Sequence, residues 1–241
     1  MAHLHRFFLD QPPMPGAREA VLTDHEAHHA LHVVRLRGGD AIEVFDGAGR
    51  AWGATVSAAT RHEVRLALSD LREVAAPRMR VTLFQAWLHR DKAVEELIRH
   101  GTEIGFARFV FFPSRHSERA PRANDKWRRT AIEACKQCRR AWLPEFETAD
   151  DLDTALAMAK GTVLFATRDI SPTPLSLALK SVNDVSLVVG PEGDFSEEEI
   201  ETFRVRGAHA ISLGDATYRS EVAAILAGTL IQYELGCLGP K

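Results

Sequence analysis

Two stretches decide the fold: Val188-Val-Gly-Pro-Glu-Gly-Asp-Phe-Ser-Glu-Glu-Glu-Ile200 and Leu213-Gly-Asp-Ala-Thr-Tyr-Arg-Ser-Glu-Val-Ala-Ala224. Each stretch begins at the end of an apolar segment of strand length. It then contains a loop with glycine and continues into a segment with helical character. In the first stretch, Ser196 and Glu199 have the spacing of a capping box, which opens a helix. Strand, loop and helix repeated in this order are typical of an α/β domain with a largely parallel sheet.

The same rhythm extends back to residue 80. Alternating apolar strands and helix-length segments predict strands at 80–87, 109–112, 163–166, 185–189 and 210–213, and helices at 94–104, 125–141, 151–159 and 219–235. Gly105 is placed to end the first of these helices.

The N-terminal third has a different pattern. Residues 41–45, 51–56 and 63–68 read as short strands joined by turns, which predicts a small β-barrel. Residues 73–78 lack periodicity and contain a proline, so the linker is placed there. The expected domains are therefore 1–74 and 80–241.

Composition limits the class of protein. The 241 residues are 45% hydrophobic and carry a net charge of −3, as expected for an ordinary globular chain. Three cysteines do not indicate a disulfide framework. We expect a cytoplasmic protein without a membrane partner, because the sequence has no apolar run of the length that a signal peptide or membrane span needs.

Charge is distributed unevenly along the chain. Residues 108–140 contain ten basic and three acidic residues, an excess of seven positive charges. Such a patch is the electrostatic footprint of a nucleic-acid backbone, and it is also what a solvated helix face looks like.

Two motifs suggest metal or redox chemistry, and we assign neither function. His25-Glu-Ala-His-His29 has the spacing of a zinc-protease helix, but no third ligand follows at a suitable interval. Cys135-Lys-Gln-Cys138 lies in the middle of a predicted helix rather than at a helix N-terminus, which favours packing over reactivity. We expect no metal.

The loops at 190–195 and 214–218 are candidates for ligand binding. Glycine lets the backbone approach a ligand, and the helix that follows the first loop offers free amide donors. Neither loop has the Gly-Lys-Ser/Thr of a phosphate-binding loop. The pattern favours a nucleoside-sized ligand, and two tight turns without a ligand would also explain it.

The two opening stretches resemble the paired signature of the ribosomal RNA small subunit methyltransferase E family, in the SPOUT class of knotted methyltransferases. The resemblance covers most of the chain and is carried further by His5-Arg-Phe-Phe8, His28-His-Ala-Leu-His-Val-Val-Arg-Leu-Arg-Gly-Gly-Asp40, Thr102-Glu-Ile-Gly105 and Ile132-Glu-Ala-Cys-Lys-Gln-Cys-Arg-Arg140.

The resemblance implies a fold and an activity. The fold is α/β, with an N-terminal PUA-like RNA-binding β-barrel followed by a SPOUT-type domain with a C-terminal trefoil knot. The activity is S-adenosylmethionine-dependent methylation at N3 of a uridine in small-subunit (16S) ribosomal RNA. The implied partners are that RNA, naked or in an assembled small-subunit particle, and a second copy of the chain.

The resemblance also implies the site residues. Arg219 would lie beside the acceptor base as a catalytic residue, and Glu221 would act as the proton acceptor or hold the arginine in place. The expected cofactor-binding residues are Thr167, Gly190, Glu192, Gly193, Leu213, Gly214 and Tyr218. The expected RNA-binding residues are Arg6, Arg35, Arg37, Arg139 and Arg140.

The chain departs from the family pattern in places that concern the substrate. Asp215 and Ala216 stand where the family usually has Pro and Arg, Gln137-Cys138-Arg139-Arg140 replaces Gln-Ser-Gly-Arg, and His100 replaces a common Lys. Two alternatives therefore stay open: methylation of another RNA atom, such as a ribose 2'-hydroxyl, or a non-catalytic RNA-binding paralogue.

Overall fold

The computed structural model describes residues 4–167, 172–180 and 184–238. Two compact units account for the chain: Met1–Ala76 with Cys135–Leu143, and Pro77–Ala134 with Pro144–Lys241. The segment 135–143 lies in the middle of the predicted second domain along the sequence, and it clusters with the N-terminal residues.

A five-stranded sheet forms the first unit, in the order β1-β3-β4-β5-β2. Its strands are β1 (Arg6–Phe8), β2 (Glu19–Leu22), β3 (Ala41–Phe45), β4 (Arg50–Ala59) and β5 (Val64–Glu73). β1 pairs in parallel with β3, and the other pairs are antiparallel. The three predicted strands are confirmed as β3, β4 and β5. β1 and β2 were not predicted, because three or four residues are too few to show a period.

A helical segment that contains the histidine motif at residues 25–29 packs on the sheet. The helix α1 (Asp24–His28) continues as π-helix over His29–Val34 and ends at Arg35, which has a left-handed φ of 63°. Ala27 and Ala30 are buried in the same core as strand residues such as Phe7 and Val44.

The second unit contains a six-stranded sheet in the order β11-β9-β10-β6-β7-β8, with every pair parallel. Its strands are β6 (Arg80–Ala86), β7 (Arg108–Phe112), β8 (Glu145–Thr148), β9 (Thr162–Ala166), β10 (Asp184–Val189) and β11 (His209–Ile211). The predicted α/β fold with a parallel sheet is confirmed, whereas β8 was missed.

Helices separate these strands. They are α2 (Asp91–Ile104), α3 (Asp125–Cys138), α4 (Leu152–Ala157), α5 (Leu175–Ala178), α6 (Glu197–Val205) and α7 (Ser220–Glu234). Gly105 ends α2 with a φ of 112°, and the Ser196 and Glu199 side chains form the predicted capping box. Among the residues described, no helix has the length and apolar character to cross a membrane.

Phenylalanine dominates the core of the second unit. Phe84, Phe109, Phe111 and Phe112 on β6 and β7 are fully buried. Burying each such ring contributes roughly 1.5–3 kcal/mol. β6 and its neighbour β7 are therefore a rigid part of the sheet, from which the loops at its carboxyl edge extend.

A close approach at Gly161 leads to a prediction. Gly161 has a φ of +66°, and a Cβ there would lie 1.9 Å from the carbonyl oxygen of Asp184. Gly207 has a similar φ of +71°, but a Cβ there would meet nothing within 4 Å. We expect Gly207→Ala to cost about 1–2 kcal/mol, from the left-handed backbone alone. Gly161→Ala should cost about 3 kcal/mol or more, because the β10 backbone must also move.

Urea titration of both variants measures the difference. Equal free energies of unfolding for the two variants would contradict the prediction, since the two glycines differ mainly in the contact with Asp184.

Candidate functional site

The loops that follow β10 and β11 enclose a cleft of about 520 Å³ at the carboxyl ends of these strands. All seven residues predicted to bind a cofactor line it: Thr167, Gly190, Glu192, Gly193, Leu213, Gly214 and Tyr218. Arg219 lines it as well. Ligands of open parallel sheets bind at this edge, so the geometry matches the one expected for a binding site.

Gly190 is held by two side chains from other elements. Its carbonyl oxygen accepts a hydrogen bond from the Ser220 hydroxyl and another from the Gln85 amide at 3.1 Å. The Gln85 amide also donates to the Ser220 hydroxyl at 2.8 Å. Gln85 is fully buried at the end of β6. The network joins β6, the first loop of the cleft and the start of α7.

The first loop is also supported from the side of β7. The Nδ1 atom of His116 lies 3.0 Å from the carbonyl oxygens of both Gly193 and Asp194. A Cβ at Gly193 would lie 3.0 Å from the Cβ of His116, a closer approach than almost all side chains make. The Glu192 carboxylate accepts a hydrogen bond from the His89 backbone N–H at 3.1 Å. Glycine at 193 therefore permits the contact that positions the loop.

The second loop presents an exposed arginine at a helix start. Gly214 has a φ of +92°, and its N–H donates to the Ser212 hydroxyl at 3.1 Å. Arg219 is the N-cap residue of α7, and its side chain is exposed. Within the described part of the chain, no carboxylate forms an ion pair with it. Its guanidinium is therefore available to a ligand.

Glu221 lies behind the cleft rather than in its lining. Its side chain is 7% exposed, and Oε1 lies 3.4 Å from a guanidinium nitrogen of Arg90. The other oxygen, Oε2, has no hydrogen-bond partner among the described residues. Two roles were expected for Glu221, proton acceptor or holding Arg219 in place. No contact between Glu221 and Arg219 supports the second role, because the ion pair of Glu221 is with Arg90.

Arg6 occupies a position that does not favour the predicted RNA contact. Its side chain is 3% exposed and pairs with Glu43 at 2.7 Å, and it donates to the Cys135 carbonyl oxygen at 2.7 Å. Burial lowers the pKa of Arg6, an effect that Glu43 opposes. The guanidinium joins β1 to the 135–143 segment within the first unit and does not reach a phosphate at the surface.

The other four predicted RNA-binding arginines lie in the first unit with at least part of each side chain accessible. Arg35 and Arg37 follow the helical segment and are exposed, Arg139 is exposed with a left-handed φ of 62°, and Arg140 is half-buried. Arg139 lies 3.8 Å from Glu43, a long and weak ion pair. Residues about a hundred positions apart thus contribute to one unit.

The basic stretch 108–140 is not a continuous patch of free charge. Arg108 pairs with Glu147 at 2.6 Å, Lys136 pairs with Glu26 at 3.0 Å, Arg119 pairs with Asp91 and Lys126 pairs with Glu95. A count along the sequence therefore overstated the charge available to nucleic acid, because acidic partners come from distant segments.

The histidine and cysteine motifs have structural contacts. Glu26 of the histidine motif accepts from the Phe8 backbone N–H at 2.9 Å and binds Lys136, so it joins α1 to β1 and to the 135–143 segment. Cys135 is buried, and a hydrogen bond with Cys138 together with burial raises the pKa of its thiol. A thiol held in its neutral form fits packing better than nucleophilic or metal chemistry.

Comparison with known proteins agrees with this geometry. Residues 75–232 match the model of an RNA methyltransferase domain, and residues 22–69 match that of an RNA methyltransferase PUA domain. The ribosomal RNA small subunit methyltransferase E of Synechocystis is 30% identical over 86% of this chain and 70% of its own length. The Mycobacterium bovis protein of the same name is 29% identical over 92% of this chain and 88% of its own length.

A solved structure gives the same fold. The ribosomal RNA small subunit methyltransferase E of Neisseria gonorrhoeae, bound to S-adenosylmethionine, is 24% identical. It superposes with a TM-score of 0.84 and covers 96% of this chain and 98% of its own. The class is thus that of RNA methyltransferases with a PUA domain. Within that class, the chain belongs to the ribosomal RNA small subunit methyltransferase E family.

Sequence reasoning missed the residues that support the cleft. Gln85, Ser220, His116 and Arg90 form the contacts that position its loops and its buried carboxylate. A polar Gln85 directly after the apolar pair Leu83 and Phe84 was a signal that could have been noticed, because a buried amide needs hydrogen-bond partners.

Ser220 should control the mobility of the first loop. Ser220→Ala removes one of the donors to the Gly190 carbonyl. We expect amide hydrogen exchange over residues 190–194 to become roughly two- to tenfold faster, the scale of one net hydrogen bond.

Ser186→Ala is the matched control. Ser186 is also a buried serine, and its hydroxyl bonds to the Lys160 backbone N–H and carbonyl at 2.9 Å. It should accelerate exchange near residue 160 and leave 190–194 unchanged. The same exchange rates over 190–194 in both variants would show that the hydroxyl of Ser220 does not hold the loop.

Proposed function

We propose that this chain transfers a methyl group from S-adenosylmethionine to N3 of a uridine in small-subunit ribosomal RNA. One observation carries the proposal. All seven residues that the family resemblance implies for the cofactor line a single cleft, together with Arg219, in a chain of the methyltransferase E family.

The cleft is suited to a nucleoside-sized cofactor. Its volume of about 520 Å³ lies in the range of small-molecule sites. Gly190, Gly193 and Gly214 expose backbone where an adenosine and a methionyl group would need close approach. At Gly214 a Cβ would meet no protein atom within 4 Å, so the space next to it is open to a ligand.

In the proposed reaction the cofactor supplies an electrophilic methyl group on a sulfonium. The uridine N3 proton would pass to solvent, the nitrogen would attack in line with that methyl group, and the carbon–sulfur bond would break to release S-adenosylhomocysteine. Positioning two bound reactants can supply several kcal/mol, about 7–11 at the upper end. The hydrogen bonds on Gly190 keep the first loop of the cleft in one arrangement before the substrates bind.

Arg219 is proposed to stabilise the uracil imide anion. An exposed guanidinium without an ion-pair partner in the described residues can face the carbonyl oxygens that flank N3 and lower the pKa of the imide. For Glu221 the contacts support a positioning role, since its buried carboxylate faces Arg90 and is not part of the cleft lining.

The remaining proposals concern organisation. Residues 1–74 are proposed as a PUA-like RNA-binding domain whose sheet closes into a barrel, and residues 80–241 as the methyltransferase domain. Arg35, Arg37, Arg139 and Arg140 are proposed to contact RNA phosphates. A trefoil knot in the C-terminal part is supported by the parallel order β11-β9-β10 and by the convergence of the loops after β10 and β11 on one cleft.

Two substitutions separate cofactor binding from catalysis. Gly214→Val should abolish cofactor binding, because its side chain would project next to the cleft and strain a backbone with a φ of +92°. Arg219→Ala should leave cofactor affinity nearly unchanged and lower turnover about a hundredfold, the scale of removing one preorganised donor. Cofactor titration and single-turnover methylation of small-subunit particles and naked RNA measure both effects.

Gly207→Val is the control for backbone strain, since Gly207 has a φ of +71° and does not line the cleft. It should bind cofactor normally. Mass spectrometry of the product distinguishes base N3 from a ribose hydroxyl. Wild-type turnover by Arg219→Ala would refute the catalytic assignment, and absence of cofactor binding by the wild type would refute the proposed function.

A homodimer through α7 is also proposed. Val222, Leu226, Leu230 and Tyr233 recur at three- and four-residue spacing and are 36–62% exposed, which leaves an apolar stripe along the helix. We expect light scattering to show a dimer at micromolar concentration and Leu226→Glu to give a monomer. Val205→Glu, at a 78% exposed position on α6, should stay dimeric. A monomeric wild type would contradict the proposal.

A further inference from the structure

A second cleft of about 490 Å³ lies in the second unit, and none of the functions above uses it. It is formed by the start of α2, the start of α3 and the segment before α3. We call it the tryptophan cleft and define it by Trp87, Asp91, Arg119, Arg122, Lys126 and Trp127.

The cations of the tryptophan cleft differ in their partners. Arg119 pairs with Asp91, and Lys126 pairs with Glu95, another lining residue. These pairs hold two cationic groups at the rim of the cleft. Arg122 is exposed and has no ion pair among the described residues. With three cations and two carboxylates in the lining, the cleft has a positive excess centred on Arg122.

Two helix starts add to this positive potential. α2 begins at Asp91 and α3 begins next to Asn124, and both Asp91 and Asn124 line the cleft. Each helix has 14 residues and an N-terminal dipole, which the first-turn aspartates Asp91 of α2 and Asp125 of α3 offset in part. Anions bind readily where a helix N-terminus and an arginine face the same space.

The tryptophan cleft adjoins the candidate cofactor cleft through His89. The backbone N–H of His89 donates to Glu192, which lines the cofactor cleft, while Trp87 and Asp91 line the tryptophan cleft. Two residues of chain span at most about 7 Å. The segment that contacts Glu192 of the cofactor cleft thus also lines the tryptophan cleft, and an extended strand whose reacting base lies at the cofactor cleft can follow this segment to the tryptophan cleft.

We propose that the tryptophan cleft binds a phosphate of the single-stranded RNA next to the acceptor uridine, with Arg122 as the principal contact. This inference rests on the proposed function, because it assigns a subsite for the same substrate. Arg119 and Lys126 are offset by their ion-pair partners Asp91 and Glu95, so Arg122 supplies the net positive charge that attracts the phosphate.

The experiment compares Arg122→Ala with Arg99→Ala. Arg99 is also exposed, lies on α2 and lines neither cleft. The Arg99→Ala substitution therefore removes the same charge from a position outside both clefts. Each protein is tested for binding of a short single-stranded oligouridylate across a salt series, for the KM and kcat of methyl transfer to naked small-subunit RNA, and for S-adenosylmethionine affinity by calorimetry.

For Arg122→Ala we expect about five- to tenfold weaker oligouridylate binding at low salt. The slope of log affinity against log salt should be smaller by about 0.7, the value for one phosphate contact on a single strand. KM for RNA should rise, while kcat and cofactor affinity should stay unchanged. Arg99→Ala should match the wild type in all of these measurements. Intrinsic fluorescence provides an independent readout, because Trp87 and Trp127 lie in the cleft with ring centroids 5.8 Å apart.

The outcomes separate this inference from the proposed function. Equal RNA affinity and salt dependence for Arg122→Ala and Arg99→Ala, with a wild type that methylates RNA, would overturn the subsite alone. A wild type that neither binds S-adenosylmethionine nor methylates RNA would overturn the proposed function, whereas Arg122-dependent RNA binding in that protein would still support the subsite.

Discussion

The carbonyl oxygen of Gly190 accepts hydrogen bonds from Ser220 and from Gln85, and the arrangement of the candidate site depends on these contacts. They connect the central strand β6, the loop after β10 and the start of α7. A backbone carbonyl at the edge of a cleft would otherwise be satisfied by water and the loop would be free to move. The two donors lie at a buried strand end and at the start of a long helix. The loop after β10 is therefore held in place by residues of the core.

Buried charged side chains hold the first unit together. Arg6 and Glu26 each connect the N-terminal sheet to residues of the 135–143 segment, through Cys135 and Lys136. Removing a partner from such a buried pair leaves an uncompensated charge, which costs more than the pair contributes. The first unit is consequently assembled from two distant stretches of chain that polar contacts hold in register.

The proposed chemistry requires different contributions from the backbone and from the side chains of the cleft. A cofactor that must be bound in one conformation is best held by backbone and glycine-rich loops, the role proposed for Gly190 and Gly214. The negative charge that develops during the proposed reaction can be met by the guanidinium of Arg219, which is exposed at the start of α7. Contacts to RNA phosphates need only exposed cations, and the surface arginines are proposed for that role.

Local pattern determined much of this protein: the parallel α/β domain, the three longer strands of the first unit, the capping box at Ser196, the helix end at Gly105 and the loops that form the cleft. Periodicity and capping act between near neighbours, so one sequence is enough to reveal them. Tertiary structure decided that Arg6 is buried, that Glu221 faces Arg90, and that Gln85 supports Gly190. These contacts join residues that are 37 to 131 positions apart along the chain, and no local period records which distant partner a polar side chain will meet.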